Sequence, residues 1–263
     1  MSSRSGLFRI SFIMMLVMIL IACSPSAELR ASQTASKQTE IAVSWTETPT
    51  ITVTATATQT ATITPPPLPR PEIVDPSWEL LLFDTFDRSS KIFPEREVGG
   101  GTISLTNSKS VWKYLSNGNF SGLGLNASSV GDLSDFFMSV EGNQIVCPGN
   151  CSYGLKFRSG SEFGYFFSIF ERKQTFNFQL IDFSGTGRYF NLETYASSIN
   201  PDGPNVLAVL AEGSEISIYI NDVLVTQVQD STSLMGYVGI IITSSTGGSE
   251  AEFEFDNFQV YVE

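Results

Sequence analysis

The 263-residue chain contains no histidine, and its 15 lysines and arginines face 27 aspartates and glutamates, a net charge of −12. Without an imidazole, Ser-His-Asp and Cys-His catalytic devices are excluded, and most catalytic zinc sites lose their usual ligand. An acidic chain also lacks the positive face that displaces counterions from a duplex, so no nucleic-acid partner is expected. Cysteine is scarce, at three, and the longest apolar run falls short of the ~20 residues of a spanning helix. In residues 77–263 no helical period of useful length occurs. What is abundant is phenylalanine, with 20 copies, and glycine, with 21.

The amino-terminal end carries an address. Arg4 and Arg9 form a positive region ahead of a 13-residue apolar segment from Ile10 to Ala22, the layout of an export signal over residues 1–22. Leu20-Ile21-Ala22-Cys23 resembles the bacterial lipobox. The resemblance implies cleavage before Cys23, lipidation of its thiol and attachment to the bacterial cell membrane, with the rest of the chain on the extracytoplasmic side. Two or three acyl chains hold stably where one would not. An ordinary secretory signal is the alternative. The other two cysteines sit close together in Cys147-Pro-Gly-Asn-Cys151, and in an exported chain they are expected to form a disulfide across a turn. A redox-active pair is the weaker reading, because no basic neighbour lowers a thiol pKa.

Residues 23–76 turn to Ser, Thr, Ala and Pro, and from Thr46 to Thr64 every second residue is threonine. The intervening residues are too small and mixed to bury a face, and a proline cluster closes the segment. It reads as a disordered linker, spanning roughly 40 Å as a coil and about 160 Å at full polyproline extension. Residues 77–263 then make one domain of ordinary size, with 22 acidic and 10 basic residues. Such a field favours neutral polysaccharide or a cell-surface protein over polyanions.

Within this domain thirteen short runs rich in Phe, Ile, Val and Tyr alternate with Gly, Asn, Asp and Ser clusters. The pattern predicts an all-β, two-sheet antiparallel sandwich. Asn221-Asp222 between two β-branched runs is a two-residue hairpin signal. Phe83-Asp84-Thr85-Phe86, Tyr153 to Arg158, Gly203-Pro204-Asn205, Ile218 to Asp222 and Phe255 to Val260 together resemble bacterial concanavalin A-like jelly rolls. The laminin-G-like and 3-keto-disaccharide hydrolase-like domains are the families in view. The resemblance implies two curved sheets, one of them often presenting a groove to glycans.

Alternation assigns faces along the runs. Tyr153, Leu155 and Phe157 share one side and Lys156 and Arg158 the other; Phe176, Phe178 and Leu180 oppose Asn177 and Gln179; Ile216, Ile218 and Ile220 oppose Tyr219. With Phe166, Ser168 and Phe170 on the polar side of the run 163–171, the expected ligand-binding set is Lys156, Arg158, Phe166, Phe170, Asn177, Gln179 and Tyr219. Rings beside amide and guanidinium donors suit a sugar, whose C–H faces pack on aromatics while its hydroxyls need directional partners. The same rings are also what a face covered by a loop or neighbour would carry.

A glycosidase needs two facing carboxylates. The only dense acidic run, Glu250, Glu252, Glu254 and Asp256, shares one parity but does not match the Glu-x-Asp-x-x-Glu pattern of laminarinase-like enzymes. Catalytic residues are therefore not assigned. Asp84 and Asp256, on the first and last runs, are expected as ligands of a structural calcium, or else as acceptors of backbone hydrogen bonds. No cofactor is otherwise required. The leading expectation is a membrane-anchored lipoprotein whose jelly roll binds a glycan or other extracellular ligand; glycoside hydrolysis and a purely structural or protein-binding role are the alternatives.

Overall fold

The computed structural model describes residues 70–88, 90–118, 121–245 and 247–263. The signal segment, Cys23 and the linker up to residue 69 lie outside the described residues. Among the described residues fifteen strands follow one another: β1 (Glu79–Asp84), β2 (Arg96–Val98), β3 (Gly101–Thr106), β4 (Lys109–Leu115), β5 (Ser121–Asn126), β6 (Phe136–Val146), β7 (Cys151–Ser159), β8 (Phe163–Phe170), β9 (Thr175–Asp182), β10 (Thr186–Tyr195), β11 (Asn205–Glu212), β12 (Glu215–Ile220), β13 (Val223–Gln229), β14 (Tyr237–Ser244) and β15 (Glu250–Val262). Each of the thirteen expected runs is one of them. The two unforeseen strands are β2 and β5. Gly122 and Gly124 give β5 poor strand propensity, and it is held by antiparallel pairing to β14.

Two antiparallel sheets result. One has nine strands in the order β13-β12-β11-β6-β15-β4-β3-β2, with β1 on β15; the other has six, β10-β9-β8-β7-β14-β5. The long β15 organises the first sheet, pairing β6 along one edge and β4 then β1 along the other. A register shift at Asn257, whose φ is +53°, moves its inward residues from Ala251, Phe253 and Phe255 to Phe258 and Val260. Extra residues of this kind bend and twist a strand. Asn221 and Asp222 both have positive φ, +51° and +64°, as the tight β12–β13 hairpin demands.

The core lies between the sheets. From the nine-stranded sheet come Trp112, Phe136, Met138, Val209, Ile218 and Phe255, and from the six-stranded sheet Tyr153, Leu155, Phe157, Phe167, Phe178 and Ile240, all in one buried cluster. The phenylalanine abundance is thereby explained, since Phe157 stacks on Tyr165 and Phe178 while Phe93 meets Trp112 and Phe258 edge-on. A second cluster sits outside the nine-stranded sheet, where Val74 and Trp78 cover Phe137, Ala208 and Tyr261. The packed unit accordingly begins before residue 77. Arg70 adds to this strap, its guanidinium 5.0 Å from the Tyr261 ring centre. Cys147 and Cys151 are disulfide-bonded across the β6–β7 turn, with Cα atoms 5.8 Å apart.

Candidate functional site

On β8 and β9, inward and outward residues alternate as the sequence predicts. Tyr165, Phe167 and Ile169 on β8, and Phe176, Phe178 and Leu180 on β9, enter the core. Their neighbours face outward, and register sets Phe166 beside Gln179 and Ser168 beside Asn177. On the next strand Tyr189 lies opposite Gln179. Across β7, where Gly154 carries no side chain, Ile241 and Thr243 of β14 and Ser121 and Gly122 of β5 close the other wall. The result is a groove of about 300 Å³ on the outer face of the six-stranded sheet, lined by Phe166, Ser168, Asn177, Gln179, Tyr189 and Ile241 among others.

Its chemistry is mixed. Phe166, Ile181, Tyr189 and Ile241 supply apolar surface, and Tyr189 is half exposed at 50%. Asn177 accepts a hydrogen bond from the Glu193 amide through Oδ1 at 2.6 Å, which leaves its Nδ2 as a donor. The Gln179 side chain makes no hydrogen bond among the described residues and keeps both donor and acceptor. Ser152 and Thr243 share a hydrogen bond of 2.7 Å at the β7–β14 side. No carboxylate occurs among the described lining residues. A larger and more open depression, about 550 Å³, lies between Leu81, Val130, Asp132, Asp135 and Glu263; it has three acidic side chains and no ring.

Of the expected ligand-binding set, Phe166, Asn177 and Gln179 line this groove and Lys156 stands at its rim, opposite Phe166. Phe170 has the outward parity but is buried at the strand end, with the Lys173 ammonium 5.3 Å from its ring centre, and does not reach the groove. Arg158 is a correction. A register shift between Tyr237 and Gly239 and a φ of +42° at Arg158 break the alternation of β7, so its side chain is fully buried. There Nε and Nη2 donate to the Ser134 carbonyl at 3.0 and 2.7 Å, and Asp135 lies 3.6 Å away. Tyr219 is a second correction, since it belongs to the nine-stranded sheet and packs beside the Val74–Trp78 cluster.

Asp84 and Asp256, the expected calcium ligands, both engage protein groups. Asp84 accepts the Phe86 amide at 2.9 Å and the Ser90 hydroxyl at 2.5 Å. Asp256 accepts the Asn257 amide at 2.8 Å and pairs with Lys109 at 3.1 Å. Each accepts a backbone amide, the alternative expected for the pair, and no cluster of three or more His, Cys, Asp or Glu side chains that could hold a metal occurs among the described residues. The acidic run of β15 faces away from the core on the nine-stranded sheet, where Lys113 pairs with Glu250 and Glu252 at 3.6 and 3.1 Å.

A buried carboxylate lies outside the groove's lining. Glu171, just after β8, accepts the Tyr153 hydroxyl at 2.7 Å and the Gln144 amide at 3.2 Å. Burial pushes its pKa above the ordinary range, against the lowering effect of those hydrogen bonds. Tyr153 is pushed well up by burial and by the adjacent Glu171. Asn205 closes the network through Nδ2 to the Asn200 and Gly203 carbonyls. The cluster ties β6, β7 and β11 to the segment after β8.

No protein-family model matches the chain, and no curated protein matches it in sequence. Solved structures do. A carbohydrate-binding module, CBM66, from Bacillus subtilis superposes with a TM-score of 0.50 at 21% identity, covering 62% of this chain and 92% of that one. A Bacillus subtilis protein with a galectin-like fold matches at TM-score 0.51 and 16% identity over 71% of this chain and 99% of its own. The fold is a concanavalin-type, galectin-like jelly roll. A Clostridium perfringens endo-β-galactosidase that releases GlcNAcα1-4Gal shares this jelly roll at TM-score 0.52 and 10% identity, over 73% of this chain and 65% of that protein. At such identities the jelly roll is shared and activity does not follow from it.

Proposed function

We propose that the outer face of the six-stranded sheet binds a glycan, and that Cys23 anchors the protein by lipid to the extracytoplasmic side of a bacterial membrane. The observation that carries the binding reading is the groove itself: exposed ring, second ring, and two amides of which Gln179 is unengaged, on a rigid sheet. Pyranose rings pack on aromatic faces, and amides supply the directional bonds that select hydroxyl configuration. Similarity to a carbohydrate-binding module supports the reading. Binding rather than hydrolysis is favoured because glycosidases place two carboxylates at the cleaved bond, and the described lining has none. The lipobox-like Leu20 to Cys23 and the threonine-rich linker supply anchor and spacer.

A glycan array with the full chain in detergent micelles tests the binding reading. Gln179→Ala and Tyr189→Ala are each expected to weaken the best hit by about tenfold, equivalent to ~1.4 kcal/mol. Binding unchanged in both variants overturns the groove. For the anchor, Cys23→Ser is expected to move the protein from the detergent phase to the aqueous phase in a partition assay; retention in the detergent phase contradicts it.

A further inference from the structure

Lys156 is a half-buried cation whose ammonium makes no ion pair and no hydrogen bond among the described residues. It lies at the centre of β7, in register with Phe166 of β8 on one side and Gly239 of β14 on the other. Gly154, Gly239 and Gly124 leave this stretch of the outer face without side chains on three strands. The stem occupies the space they leave: a Cβ at Gly124, two strands away on β5, would stand 3.5 Å from Lys156 Cδ. Two of those glycines are sterically required, since a Cβ at Gly154 would strike the Phe167 carbonyl and one at Gly239 the Leu125 carbonyl. The lysine thus lies flat in a glycine-floored trough that runs on from the Phe166 wall of the groove.

The surroundings make this placement unusual. The chain has 27 acidic residues, and apart from the exposed Lys91 the other lysines of the sandwich are paired with them: Lys109 with Glu141 and Asp256, Lys113 with Glu250 and Glu252, Lys173 with Glu193. Among the described residues Lys156, itself partly buried, has no such partner, and burial lowers its pKa with no carboxylate acting against the shift. A desolvated charge without a counter-charge is unfavourable for folding, and groups of this kind concentrate where a ligand completes them.

We infer that the ligand of the groove is an acidic sugar, whose anionic group pairs with the Lys156 ammonium while its ring packs on Phe166 and Tyr189. The inference rests on the glycan-binding reading and specifies its ligand class. It also replaces the neutral ligand expected from net charge: the overall −12 disfavours dense polyanions, whereas one cation in one trough suits a single negative group per binding unit. A uronic-acid carboxylate and a sugar sulfate ester offer the same chemistry, and paired probes separate them.

The test measures affinities of the full chain in detergent micelles for matched pairs. One arm sets neutral oligosaccharides carrying a single glucuronic or galacturonic acid residue against their carboxyl-reduced counterparts, and the other sets galactose oligosaccharides carrying a single sulfate ester against desulfated ones. The acidic member of at least one pair is expected to bind about tenfold tighter. Lys156→Gln is expected to bring that pair within about twofold, by loss of affinity for the acidic member. Gln179→Ala should weaken both members and leave their ratio intact. Lys156→Met serves in place of Lys156→Gln should the latter fail to fold. Equal or tighter binding of the neutral members, or a preference that survives in the Lys156 variant, overturns the inference and leaves the groove standing. Absence of binding to any probe overturns both.

Discussion

Replacement of Arg158 by alanine separates a fold anchor from a ligand contact. The guanidinium makes two hydrogen bonds to one backbone carbonyl, that of Ser134, and lies 3.6 Å from Asp135, whose Oδ1 also accepts the Gly213 amide. One arginine therefore ties the loop before β6 to the bulge of β7 and, through Asp135, to the β11–β12 turn. Gly236 crosses directly over this bulge, where a Cβ would meet the Arg158 carbonyl carbon at 2.6 Å, and exchanges hydrogen bonds with Leu133 at 2.9 and 3.1 Å. Hydrogen bonds from a charged donor contribute about 1.5–3 kcal/mol each, and a stranded buried carbonyl costs a further ~1–3 kcal/mol. Removing a desolvated cation offsets part of this, because burial already lowers the Arg158 pKa. A net destabilisation of about 2–4 kcal/mol follows, or roughly 5–15 °C in melting temperature at this domain size. Circular-dichroism melts of wild type, Arg158→Ala and Arg158→Lys check it, with lysine intermediate because it cannot reproduce the fork. Glycan affinity at a temperature where all three remain folded should be unchanged. An alanine variant that melts with wild type yet loses binding would place Arg158 at the ligand and refute this reasoning.

The buried Glu171 gives a pH signature. Its folded-state pKa is raised by burial, so the folded protein holds a proton that the unfolded chain releases near ~4.3, and stability falls as pH rises from there to the raised value. The wild-type-minus-Glu171→Gln stability difference should decline across that window and then level off; a difference that grows with pH contradicts it. Loss of the disulfide by a Cys147→Ser, Cys151→Ser double substitution should cost about 2 kcal/mol in chemical denaturation on the loop-closure model, and an unchanged midpoint would show that the turn does not need the bond.

Fold class was legible because the period-two alternation of β8, β9 and β12 survives intact in the sandwich, and because Asn221-Asp222 tolerates positive φ. Four of the groove residues, Phe166, Ser168, Asn177 and Gln179, followed from the same parity rule. Arg158 did not, since the bulge breaks the alternation within Phe157-Arg158-Ser159, which carries no glycine or proline to mark it. Tyr219 was misplaced for a different reason: alternation fixes which side of a strand a residue takes, but not which of two sheets the strand joins. Tyr189, Ile241 and Thr243 were missed because the groove crosses six strands whose lateral order no local pattern encodes. The burial of Glu171 was equally hidden, since its partners Tyr153, Gln144 and Asn205 come from three different strands.

Hydrogen–deuterium exchange of the full chain, with and without the tightest-binding oligosaccharide, tests the central claim most directly. The account predicts added protection in segments 163–182, 186–195 and 237–244, around the groove of the six-stranded sheet. Protection confined to 128–136 or to 205–229, at the acidic depression or the far edge of the nine-stranded sheet, would contradict it.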